Sequence, residues 1–215
     1  KCMREVKRDI EATCCSAIET QGRTDDEMQL RGAFTWLAAS NSPQVPSDFV
    51  PPAAQRVSSV TTLVETGANS LNAALKSLKG QYGVAKEFEL IAGNSYIENL
   101  DMFTRTGDAV AANEKRFRVM NTGGPVEIGL VVNVFRSSFG RVNIHASDFL
   151  LINSTTGVGQ ADACLILNMR LWELSFLESL HSVEDENDAS GESGFVKAIG
   201  GLFCKAPYGN AFIKN

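Results

Sequence analysis

With 215 residues, 44% of them hydrophobic and 21% charged, the chain has the composition of a globular protein, enough for one large domain or two small ones. A formal net charge of −5 speaks against a protein that holds DNA or RNA by neutralising phosphates, which needs a basic face. No apolar run approaches the ~20 residues that cross a bilayer, and no charged segment followed by an apolar one marks a secretion signal.

Residues 1–20 read as one amphipathic helix. Met3, Val6, Ile10, Cys14 and Ala17 recur at steps of three and four, the stripe of a helix lying on a core. Glu5 with Arg8 and Lys7 with Glu11 are spaced as surface pairs on the other faces. Neither a capping residue nor an initiator Met stands at the start, so the helix is expected to continue upstream in a longer product. Residues 32–37 form a short apolar block. Pro43, Pro46, Pro51 and Pro52 exclude a long regular element behind it, so 21–52 reads as connecting structure.

The spacing predicts a helix over 70–82, with Leu71, Ala74, Leu75 and Leu78 on one face and Gly80 and Gly83 ending it. A strand at 87–92 follows, then a turn at Gly93-Asn94 and a helix over 95–103. Ser95 and Glu98 have the spacing of a capping box, and Ile97, Leu100 and Phe103 would face the core. Beyond this the pattern changes to strands. Residues 131–135 and 141–146 flank the turn Ser137-Ser138-Phe139-Gly140 as a hairpin, and 163–167 and 171–177 follow. In the last of these Trp172, Leu174 and Phe176 alternate with Glu173 and Ser175. A strand at 195–204 is weakened by Gly200-Gly201. The acidic stretch 184–194 before it carries five carboxylates and no Lys or Arg. It reads as a solvated loop, kept extended and mobile by self-repulsion until a neighbour's basic side chain screens it. The fold class is α+β, with helices early and a mostly antiparallel set of strands after them.

Candidate sites are weak. Cys2, Cys14, Cys15, Cys164 and Cys204 include no CxxC pair and read as reduced core residues; His145 and His181 are not spaced to complete a zinc site with them. His145, Ser147 and Asp148 supply the residue types of a hydrolytic triad. Residues this close on one strand end do not chain nucleophile to base to acid, and no G-x-S-x-G elbow is present. Gly93-Asn94-Ser95, Thr122-Gly123-Gly124-Pro125 and Thr155-Thr156-Gly157-Val158-Gly159 lack both G-x-G-x-x-G and a Walker lysine, and read as turns. Asp185, Asn187 and Gly191 fit a calcium loop poorly, because the Gly is at the wrong offset and no Glu closes it. Asn153-Ser154-Thr155 matches a glycosylation triplet that has meaning only in a secreted protein. No catalytic, cofactor-binding or metal residue is assigned. Apolar blocks at 34–37 and 172–177, expected to be exposed, suit a protein whose chemistry is contact with copies of itself.

The order of segments resembles the major capsid proteins of tailed bacteriophages with the Hong Kong 97-like fold. Met3-Arg4-Glu5-Val6-Lys7-Arg8-Asp9-Ile10-Glu11 looks like the end of the spine helix of the peripheral (P) domain, and Leu30-Arg31-Gly32-Ala33-Phe34-Thr35-Trp36-Leu37 is similar to a Gly-containing apolar segment of that family. Residues 70–83 followed by 88–100 resemble the helix, strand and second helix of the axial (A) domain, although Gly93-Asn94-Ser95 keeps the family's Asn and lacks its Pro. Gly124-Pro125-Val126 and 131–149, ending in Asp148-Phe149, look like later axial strands. Trp172-Glu173-Leu174-Ser175-Phe176, the acidic loop and 195–204 resemble the return through the P domain.

The resemblance implies a P-domain part at 1–59, an A domain at 60–169, a P-domain return at 170–205 and a C-terminal tail at 206–215. The family's N-terminal arm and E-loop, which precede the spine helix, are missing from this sequence, so no crosslinking residue is assigned. The implied function is structural, without enzymatic activity or cofactors. Pentamers and hexamers would close into an icosahedral head around double-stranded DNA, without sequence-specific binding and without a membrane, with room for portal, scaffold and decoration proteins as partners. The protein would be found in the virion after assembly in the host cytoplasm. The same fold serves encapsulin compartments, which is the nearest alternative; a small α+β ligand-binding or hydrolytic enzyme is the alternative of another class.

Overall fold

The computed structural model describes residues 2–15, 31–38, 47–57, 71–80, 87–105, 134–147, 150, 163–185 and 193–213. Helices α1 (Cys2–Cys14), α2 (Ala33–Leu37), α3 (Leu71–Lys79) and α4 (Asn94–Arg105) surround or flank two sheets. The strands are β1 (Arg56–Val57), β2 (Glu87–Ala92), β3 (Val134–Ser137), β4 (Gly140–Ala146), β5 (Cys164–Leu167), β6 (Trp172–Asp185), β7 (Ser193–Cys204) and β8 (Ala211–Ile213). Six of them form one sheet in the order β1-β8-β5-β2-β4-β3, and β6 and β7 form a separate two-stranded ribbon.

The main sheet is mixed, with three antiparallel and two parallel pairings, and with the antiparallel β6–β7 pair the described strands are mostly antiparallel, as expected. β3 and β4 are the expected hairpin, with Phe135 opposite Val142, but β4 runs parallel to β2 and β1 runs parallel to β8. The reason lies in covering both faces. Phe88, Leu90 and Ala92 of β2 point to one side and join Leu71, Leu75 and Leu78 of α3 and Tyr96 and Leu100 of α4. Ile91 points to the other side, toward Ala33, Phe34 and Leu37 of α2. β5 alternates in the same way, with Cys164 and Ile166 on the first side and Leu165 and Leu167 on the second. A strand covered twice reads as a continuous apolar run, which is what Cys-Leu-Ile-Leu is. Phe34 meets Phe212 of β8 edge to face, with centroids 5.7 Å apart.

Several expectations need correction. The block at 34–37 is not exposed: Phe34 and Leu37 are buried and form the second core. The α1 stripe does not lie on a core. No α1 residue is fully buried; Met3 is exposed, Val6, Ile10 and Cys14 are half-buried, and the helix lies against β7. Its last turn closes with the Cys15 N–H on the Glu11 carbonyl, and 16–20 lie outside the described residues. The capping box does not form. α4 starts one residue early, at Asn94; the Gly93 carbonyl accepts the Ile97 N–H at 3.1 Å, which leaves Ser95 inside the first turn. Phe103 falls in α4, while Gly83, 131–133 and Asp148-Phe149 lie outside the described residues. Residues 206–215, set apart by the resemblance as a tail, supply β8, which is hydrogen-bonded between β1 and β5. Of the cysteines only Cys164 is buried, and all five are free thiols.

Candidate assembly interface

The ribbon is where burial and sequence disagree. β6 continues eight residues past the strand expected at 171–177, to Asp185, and pairs with β7, with two register shifts, from Trp172 opposite Cys204 to Asp185 opposite Ser193. Residues 184–185 and 193–194, expected as loop, are therefore strand; 186–192, with most of the acidic stretch and its expected mobility, lie outside the described residues. No ribbon residue with a described side chain is fully buried. Leu174, Phe176, Leu177, Phe195, Ile199 and Phe203 are all exposed, Leu177 by 88%. A two-stranded ribbon covered only in part, by α1 and at its root, is marginal by itself, and an apolar surface of this kind marks a contact site.

Local chemistry explains how the ribbon keeps its shape. Two irregularities, between Phe176 and Glu178 and between Glu178 and His181, put extra residues into β6, which bends and twists the strand pair. Gly200 stands opposite Phe176, and a Cβ there would lie 2.8 Å from Phe176 Cδ1 and 3.0 Å from the Ser175 carbonyl. The glycine that weakened the strand reading is thus the place where the Phe176 ring crosses the partner backbone. Lys205 reaches Glu173 at 2.9 Å and Lys197 reaches Glu178 at 2.8 Å. Hydrogen bonds from these lysines hold both carboxyls below their ordinary value.

The root of the ribbon is built more firmly. Asn210 is fully buried; its Oδ1 accepts the Asn168 N–H and the Trp172 indole N–H, both at 2.8 Å. Its Nδ2 donates to the Ala206 carbonyl at 3.1 Å and faces Cys204 Sγ at 3.6 Å. The Trp36 indole N–H donates to the Leu202 carbonyl at 2.9 Å, and the Lys205 N–H to the Leu171 carbonyl at 2.8 Å. α2 and the segment before β8 thus clamp the first pairs of β6 and β7 to the main sheet. None of these polar anchors was singled out from the sequence, because a buried Asn inside Tyr-Gly-Asn-Ala-Phe looks like any turn residue.

Beside the root lies a mostly apolar cleft of about 390 Å³, lined by Cys14, Cys15, Leu165, Met169, Trp172 and Leu202 together with Glu89, His145 and Ser147. His145 Nε2 donates to Glu89 Oε2 at 2.7 Å, and Asn143 Nδ2 donates to Glu89 Oε1 at 2.9 Å. Partial burial pushes the Glu89 carboxyl up, but the bonds from Asn143 and His145 and the charges of His145 and Arg141 outweigh it and hold the carboxyl low. The Ser147 N–H is spent on the Ala92 carbonyl at 2.9 Å, and Asp148 is outside the described residues. The thiols are no better as nucleophiles. Burial pushes Cys15 up to about 11, assisted by Cys14 and Glu11, so it stays protonated at neutral pH. The structure thus brings His145 and Ser147 to one cleft, where the Ser147 side chain bonds Cys15, and among the described residues no nucleophile there is activated.

Among the described residues the other sequence candidates form no site. At Gly93 the N–H is taken by the Ala163 carbonyl at 3.0 Å, so the start of α4 presents no glycine cradle. Residues 122–125 and 153–159 lie outside the described residues. Among the described residues no group of His, Cys, Asp and Glu is placed to hold a metal ion, and no helix is long and apolar enough to cross a membrane.

An unburied apolar ribbon on a firmly built root is the surface of a protein made to meet other chains. The family model of the SU10 major capsid protein matches residues 1–215. A search of curated proteins finds no match. Because the family match runs the whole length, the chain belongs to the SU10 major capsid protein family: it is a structural protein of a phage virion, and it assembles into a multi-subunit capsid.

Proposed function

We propose that this chain builds the icosahedral head of a tailed phage around double-stranded DNA, as pentamers and hexamers of a Hong Kong 97-like subunit without enzymatic activity. Residues 60–169 form its A domain, whose sheet also takes in β1 and β8, and 1–59 and 170–205 form its P domain. The observation that carries the reading is the β6–β7 ribbon, which leaves Phe176, Leu177, Phe195 and Phe203 uncovered within one chain. Burying such side chains is worth about 1.5–3 kcal/mol each, so repeated copies gain what a single copy lacks. Identical contacts around an axis close into rings, and rings meeting at varied angles close into a shell. The net charge of −5 suits a container that encloses DNA without gripping it.

Electron microscopy of the purified full-length protein tests this. Closed particles of uniform diameter are expected. A protein that stays monomeric at high concentration, with no particles on the grid, would refute it. Particles isolated from infected cells should hold double-stranded DNA; a protein cargo in its place would move the reading to a compartment shell.

A further inference from the structure

This inference rests on the shell reading and names one contact within it. The β3–β4 hairpin and the end of α3 enclose a cleft of about 310 Å³, in which Lys79, Arg136 and Arg141 stand with Glu87 as the single carboxylate among the described residues. In a chain with 25 acidic and 20 basic side chains, a group of three cations around one acid is a local reversal of charge. The cations are only lightly engaged. Arg141 meets Glu87 at 3.8 Å with both side chains well exposed, a geometry worth little in water. Lys79 donates to the Ser138 carbonyl at 3.0 Å and lies 5.5 Å from the Phe139 ring centroid, contacts that place its charge over the hairpin turn without cancelling it.

The complementary surface is on the same chain. The ribbon leads from its clamped root at Trp172 to Asp185, a reach of about 40 Å at roughly 3.3 Å per residue. At its far end the sequence carries Glu184, Asp185, Glu186, Asp188 and Glu192 with no Lys or Arg between them. Nearer the root, Lys197 and Lys205 already serve Glu178 and Glu173. We propose that the acidic far end of the β6–β7 ribbon of one copy docks into the Lys79–Arg136–Arg141 cleft of a second copy. The contact is head to tail, since the donor surface and the acceptor surface differ, and this is the class of interface that generates rings. Opposite potentials on the two surfaces steer the encounter and set the register, while the apolar ribbon faces supply the burial.

Charge reversal tests it in the full-length protein, with association read by sedimentation and light scattering. Glu184→Lys with Asp185→Lys, and separately Arg136→Glu with Arg141→Glu, should each weaken association about tenfold or more. Arg136→Glu alone should act in the same direction while leaving the Arg141–Glu87 pair intact; circular dichroism checks that each variant is folded. Mixing the two reversed proteins should restore association, because the acidic ribbon of one then meets the basic cleft of the other. Combining both reversals in one chain should restore it as well. A contact made within a single chain would be rescued by the combined variant and not by mixing, which would overturn the proposal. So would a cleft reversal that leaves association unchanged and only lowers the nucleic-acid content of particles, since the cleft would then be a phosphate site. Wild-type chains that do not associate at all would remove the shell reading itself. Wild-type association that neither reversal disturbs removes only this contact.

Discussion

Replacing Asn210 with Ala should loosen the ribbon root by an amount the geometry sets. The substitution strands two donors, the Asn168 N–H in a buried setting and the Trp172 indole N–H in a half-buried one. A buried donor left without an acceptor costs about 1–3 kcal/mol. Taking about 2 for Asn168, and about 1 for Trp172 because water reaches it in part, gives about 3 kcal/mol. The chain has two tryptophans, Trp36 and Trp172, and both sit at this root, so their fluorescence reports the region directly. Urea unfolding followed by that signal should show the loss as a lower midpoint. Lys205→Ala is the control at the same root. Its pair with Glu173 is solvent-exposed, and its removal should leave the midpoint nearly unchanged. Equal midpoints for the two variants, or a loss below about 1 kcal/mol for Asn210→Ala, would refute the assignment of Asn210 as the clamp.

Leu177→Asp should leave the unfolding midpoint unchanged, because the side chain is 88% exposed, and should suppress particle formation on electron-microscope grids. Gly200→Ala should displace the Phe176 ring, since the backbone carbonyl of Ser175 blocks the alternative, and hydrogen exchange at the pairs around Phe176 should rise while the main sheet keeps its protection. Glu89, Glu173 and Glu178 are all held below their ordinary value. Their contribution is therefore complete above the unfolded carboxylate range near pH ~4.3 and is lost as pH falls through the lower folded values. The urea midpoint should be level from neutral pH down to about pH 5 and drop below about pH 4; a midpoint that rises on acidification would contradict these assignments.

Where one apolar face met one polar face, the sequence was readable. Leu71, Ala74, Leu75 and Leu78 are the buried stripe of α3, and Phe88, Leu90 and Ala92 the buried side of β2. Two kinds of element escaped. β1 and β8 are two and three residues long, too short for a period, and exist because neighbours in the sheet supply their hydrogen bonds. The ribbon escaped because exposed apolar residues on both faces, together with the irregularities in β6, erase the alternation after Phe176. Phe34 to Leu37 looked like a surface block because it is only one turn long; its burial depends on β5 and β8, which are remote in sequence. The contact surface was legible in part, since the apolar block from Trp172 and the acidic stretch were both visible. The basic cleft was not, because Lys79 at the end of α3 reaches Arg136 and Arg141 only by meeting the β3–β4 turn at the Ser138 carbonyl, 59 residues away in the chain.

The position of β8 has a consequence for the order in which the molecule becomes able to assemble. Residues 211–213 follow every other described strand, yet they lie inside the main sheet, between β1 and β5, and Asn210 just before them holds the ribbon root. A chain emerging from the ribosome presents its apolar ribbon before the strand and the clamp that fix it have been made. Pairings of such long sequence separation form late, and incompletely built chains with uncovered apolar surface are prone to misassociate. Synthesis of β8 therefore acts as a timer: the ribbon is aimed at a neighbour only once this strand and the Asn210 clamp have been made.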